Sequence, residues 1–123
     1  MYVSFIKSPK SDKKYRVILP GGKRVDFGGK GYSDYTIHKN PERMRLYVQR
    51  HGGNVPSVSP GLQNKMLKVV KSNKENWSIK GIDTAGFWSR WLLWSYPDLE
   101  AAKRFMKKQF GIKIVQGTSY RST

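Results

Sequence analysis

Cysteine is absent from this chain, histidine occurs twice, and acidic residues number only eight. Without thiols there can be no disulfide, no zinc thiolate and no cysteine nucleophile, and the composition suits a reducing compartment. His38 and His51 have no suitably spaced ligand partners, so neither a metal nor a cofactor is expected. The acids are scattered, mostly one to an element. Asp34, Asp83 and Asp98 stand beside turns or helix starts, where a structural role accounts for them. No serine lies in a nucleophile-elbow pattern, and two histidines without a clear acid partner make a weak base set, so the chain reads as non-catalytic. No run approaches the roughly 18 apolar residues of a membrane span. The first ten residues lack the basic start, apolar centre and cleavage site of a signal peptide.

What the chain has in excess is positive charge: 24 Lys plus Arg against the eight acids give +16. Such a balance suits an acidic partner, whether polyphosphate, an acidic protein surface or an anionic membrane face. The plainer reading is a solvated surface that keeps the protein soluble. At 123 residues the chain suits one domain.

The aromatic residues set the core. Gly81 to Trp94 holds three of the four tryptophans. With Thr84 as N-cap, a helical wheel gathers Phe87, Trp88, Trp91, Leu92 and Trp94 on one wide apolar face, as in a buried central helix. Gly86, Ser89, Arg90 and Leu93 fall on the narrow remaining side, where Arg90 needs a partner or an exit to water.

In chain order, the first segment reads as a short strand or an arm, because Tyr2, Phe5 and Ile6 do not alternate cleanly, and Lys7 to Lys14 is a polar break. Tyr15 to Leu19 and Lys23 to Phe27 flank Pro20-Gly21-Gly22 as a β-hairpin, with Tyr15, Val17, Leu19, Val25 and Phe27 on one face. Gly28-Gly29-Lys30-Gly31 fails as a phosphate loop, since Arg24 stands where the first glycine belongs and Gly31 follows the lysine. It remains a glycine turn able to offer Lys30 to an anion.

Asn40-Pro41-Glu42 starts a helix that runs to about His51, with Arg43 and Arg50 sharing a face. Ser59-Pro60 starts another, with Leu62, Met66, Val69 and Val70 apolar and Lys65, Lys68 and Lys71 as a basic stripe. Pro97-Asp98 opens a last helix to about Phe110, closed by Gly111, with Lys103, Arg104, Lys107 and Lys108 on its outer side. The expected architecture is an α+β single domain, a small N-terminal β-hairpin packed on about four helices. It divides into an arm (1–14), a compact domain (15–115) with an inserted loop and helix at 52–74, and a tail (116–123). Tyr2, Phe5, Val55, Val58 and Tyr120 are apolar groups the core does not obviously claim, and so candidate assembly anchors.

Several strings, Phe27 to Thr36, His38 to Arg43, Arg50-His51, Asn76-Trp77 and above all Thr84-Ala85-Gly86-Phe87-Trp88-Ser89, resemble a family of small basic proteins. That family is encoded by large icosahedral double-stranded DNA viruses of algae and amoebae. The resemblance covers about Lys14 to Phe110, and the segment from Gly52 to Lys74 is longer than in the family pattern. It supplies no catalytic residues. It implies a viral setting, with the protein in the virion and in host cytoplasm or nucleus during assembly. Two non-enzymatic functions are then expected to compete. One is a minor capsid protein bound to other capsid proteins with acidic surfaces through Arg43, Arg50, the Lys65/Lys68/Lys71 stripe and the outer face of the last helix, and through its extended arm and tail. The other is a nucleic-acid-binding protein that helps condense or package viral DNA.

Overall fold

In the computed structural model, which describes residues 1–117, strand β1 (Tyr2–Lys7) pairs along both of its edges. Strand β2 (Lys13–Ile18) runs antiparallel to β1, β3 (Arg24–Gly29) antiparallel to β2, and β4 (Lys113–Gln116) parallel to β1. The sheet order is β3-β2-β1-β4. Of the two readings of the first segment the strand is the one formed, so the arm assigned to residues 1–14 is corrected. Its first half is a central strand, with Val3 and Phe5 in the hydrophobic core. Ile6 is also buried, but outside that core cluster, so the strand is covered on both faces at this point and loses the period-two alternation that marks a half-exposed strand.

The hairpin forms where the glycine turn places it. Gly22 N–H donates to Leu19 O at 2.9 Å and Leu19 N–H to Lys23 O at 2.8 Å. Val17, Leu19, Val25 and Phe27 are buried on the inner face, and Tyr15 packs 4.9 Å from the Phe5 ring. On the outer face Arg16 and Asp26 are cross-strand partners joined by two hydrogen bonds of 2.9 and 3.1 Å. Desolvation pushes the Asp26 carboxyl upward, but the hydrogen bonds from Arg16 and Ser8 and the charges of Arg16 and Lys10 outweigh it and hold the pKa below the usual range.

Helices α1 (Tyr35–His38), α2 (Pro41–Arg50), α3 (Leu62–Met66), α4 (Ala85–Trp88) and α5 (Leu99–Phe110) cover the inner face. Asn40 Oδ1 accepts from Glu42 and Arg43 N–H at the start of α2, and Asp98 and left-handed Gly111 cap the two ends of α5. The molecule is an α+β single domain, a four-stranded mixed sheet packed with about five short helices.

Helix α4 continues as a π-helical turn, Ser89–Leu93. Widening the turn brings Arg90 and Leu93, expected on the narrow side, into the interior beside Trp91 and Leu92. Phe87, Trp88, Trp91 and Leu92 are fully buried, and the indole N–H groups of Trp88 and Trp91 donate to Ile82 O and Trp77 O. Trp94 is half-buried and stacks flat on Tyr47, with ring centroids 4.1 Å apart.

The helix from Ser59-Pro60 is shorter than its apolar pattern suggests. It ends at Met66, where the chain tightens into turns with Lys68 N–H on Lys65 O and Val69 N–H on Met66 O, and the Arg90 guanidinium donates to Met66 O at 2.7 Å and to Val69 O at 3.3 Å. Met66 O is the acceptor a further helical turn would use. The ends of the 52–74 segment meet in the Gly53–Ser72 bridge, and Ser72 Oγ donates to His51 O. Leu62 and Met66 from this segment lie in the core.

Candidate functional site

A cleft of about 570 Å³ opens between the hairpin and α2. Lys13 and Lys14 at the start of β2 form one wall, and Arg43, Arg50 and His51 on α2 form the other. The Gly28-Gly29 end of β3, with Tyr32 and Ser33 beyond it, closes one end. Arg43 and Arg50 meet here because seven residues are close to two helical turns, which returns a side chain to the same face about 10 Å further along.

Two carboxylates inside the cleft are already engaged. Lys14 Nζ lies 2.7 Å from Asp34 Oδ2, both side chains are largely buried, and Asp34 also caps α1 through Thr36 N–H. Glu75 Oε2 lies 2.9 Å from His51 Nδ1. Glu75 also packs against Gly86, where an added Cβ would come within 2.1 Å of Oε1, so the glycine is what lets the carboxylate reach the helix. Lys13, Arg43 and Arg50 have no acidic partner among the described residues. Behind the wall, the Tyr47 hydroxyl is pushed well above its usual pKa by burial and then by Glu75, and stays protonated.

Tyr32 stands at the cleft mouth, 76% exposed. Its ring rests on Gly29, where a Cβ would fall 2.8 Å from Cδ2. The ring is thus positioned by the backbone and free on its outer side. Lys30, the cation expected from the glycine turn, is exposed and lies outside this cleft.

The remaining predicted residues are dispersed. Lys65, Lys68 and Lys71 are exposed but form no helical stripe, since α3 stops at Met66. On α5, Arg104, Lys107 and Lys108 are exposed, and Arg104 and Lys108 border a second groove of about 500 Å³ floored by Leu67, Tyr96 and Phe105. Lys103 is a packed residue: its ammonium sits 4.8 Å over the Phe5 ring and 3.2 Å from Glu100. Among the expected anchors, Tyr2 and Val58 are exposed, with Lys113 5.3 Å over the Tyr2 ring. Val55 packs partly buried on the core, Phe5 is inside it, and Tyr120 lies outside the described residues.

His38 accepts from Asn40 N–H at Nδ1, which puts the proton on Nε2, and that buried Nε2 has no partner among the described residues. Burial, then Arg43, holds the His38 pKa below its ordinary value. No three His, Asp or Glu side chains gather as a metal site among the described residues. Lys13 and Tyr32 escaped the sequence reading; the only pointer was the glycine turn between them.

Residues 3–51 match DUF5754, a family of unknown function. No curated protein and no solved structure matches the chain. The matched stretch runs from β1 through α2, so it contains both basic walls of the cleft and stops at His51, where the 52–74 segment begins. The family description carries no viral assignment, which rests on the resemblance of the strings between Phe27 and Ser89.

Proposed function

We propose that the protein is a non-catalytic minor capsid protein of a large DNA virus, bound through its basic faces to acidic surfaces of other capsid proteins in the virion. What supports this reading is the placement of its cations. Arg43 and Arg50 on α2, and Arg104, Lys107 and Lys108 on α5, are exposed on helices whose opposite sides are fixed in the core by Met44, Val48, Ala102 and Met106. Exposed Tyr2 and Val58 supply apolar contact points within this basic surround. With Met1 to Lys7 built into the sheet, the contact at Tyr2 is made from a strand and not from a reaching arm.

The nucleic-acid reading is favoured by a different observation, the open cleft whose unpaired cations stand on two facing walls. Fractionating purified particles tests between the two. A minor capsid protein stays with the shell after the genome is released, and reversing the charges on α2 and α5 lowers its copy number. Loss of the protein together with the genome would transfer the function to packaging.

A further inference from the structure

We propose that the cleft between the hairpin and α2 is a binding site for single-stranded nucleic acid, with successive phosphates on Arg43, Arg50 and Lys13 and an unpaired base stacked on Tyr32. The cleft volume, about 570 Å³, lies within the range of pockets that enclose small ligands, so it can admit single nucleotide units of a strand. A duplex keeps its bases inside the stack and offers only its backbone to such a rim.

The cations are arranged for a chain and not for a single anion. Arg43 and Arg50 are separated by about 10 Å along α2, and Lys13 faces them from the hairpin. Of the two acids, Asp34 is paired with Lys14 and Glu75 is hydrogen-bonded to His51, which leaves Lys13, Arg43 and Arg50 without an acidic partner among the described residues. An acidic peptide would satisfy the same cations. It would leave the Tyr32 ring without a role, although that ring is seated on Gly29 with its outer side uncovered among cations, the combination that sequence-tolerant single-strand binders use.

The test uses the full chain and fluorescence anisotropy with a short labelled oligothymidylate, its duplex with oligoadenylate, and polyglutamate as competitor. The oligothymidylate is expected to bind more tightly than the duplex and to resist polyglutamate. Tyr32→Ala is expected to weaken it about ten-fold and Tyr32→Phe to retain it, since a base stacks on either ring. Arg43→Ala with Arg50→Ala is expected to lower the slope of log affinity against log salt by roughly 1.4. All three residues are exposed, so the variants should melt like the parent. Unchanged affinity in Tyr32→Ala, or an equal loss from Lys107→Ala with Lys108→Ala on α5, would overturn the site. If instead only the α5 pair governed duplex affinity, the cleft proposal would fall while the packaging reading stood.

Discussion

Arg90 is fully buried and has no carboxylate within ion-pair distance among the described residues. Its guanidinium sits 4.4 Å over the Trp91 ring and donates to Trp94 O, Met66 O and Val69 O, which come from two separate chain segments. Burial pulls its pKa down to about 9, partly offset by Tyr47, so it remains charged at neutral pH. The planar fork reaches these carbonyls from two separate nitrogens, a spread that the single nitrogen of a lysine ammonium does not offer. Arg90→Met preserves much of the volume but takes the guanidinium donor from Trp94 O and Val69 O, while Met66 O keeps the Val69 N–H. It should cost about 1–3 kcal/mol, the scale of buried acceptors left without a donor, read from urea unfolding. A loss below about 1 kcal/mol would mean that water reaches the carbonyls when the side chain is gone.

At the level of elements, β1 ties the ends of the chain together. Tyr2 pairs with Lys113 and Ser4 with Ile18, so β1 stands between the hairpin and β4, and β4 has no other strand partner among the described residues. Deleting Met1 to Ser8 removes Val3 and Phe5 from the core, worth about 1.5–3 kcal/mol each, and unpairs β4 as well. Against a total stability of about 5–15 kcal/mol, the truncated chain should lose its cooperative thermal transition, followed by near-ultraviolet circular dichroism. A retained sharp transition would show that the sheet closes without β1. The hairpin and the caps at Asn40 and Asp98 were legible because each is a local signal carried by a few adjacent residues. β1 was left undecided between strand and arm, since its parallel partner lies at the far end of the sequence and Ile6 breaks its alternation. The end of α3 was hidden for a related reason, since the Arg90 that donates to Met66 O there comes from another helix. Likewise the spacing of Arg43 and Arg50 put them on one face, but their meeting with Lys13 and Tyr32 depends on how the hairpin docks on α2.

For the whole molecule, the imbalance of charge bears on stability as well as on partners. Five of the eight acids are already in ion pairs with Lys or Arg, Asp26, Asp34, Glu42, Asp83 and Glu100, and Glu75 is hydrogen-bonded to His51. The remaining cations therefore mostly face one another across the surface, and this self-repulsion works against the compact state. Raising sodium chloride from about 0.01 M to about 0.1 M shortens the screening length from roughly 30 Å to roughly 10 Å. That weakens repulsion between distant cations far more than it weakens pairs in contact, and exposed pairs contribute only about 0–1 kcal/mol each in any case. The melting temperature should consequently rise with salt, by roughly 4 °C if screening recovers about 1 kcal/mol. Affinity for an acidic partner should fall over the same range, because those same unpaired cations hold it. Opposite signs for the two measurements are the signature of a surplus kept for binding. A melting temperature that fell with salt would mean that the ion pairs outweigh the repulsion, and that the surplus charge is spread too thinly to be the means by which the protein holds its partner.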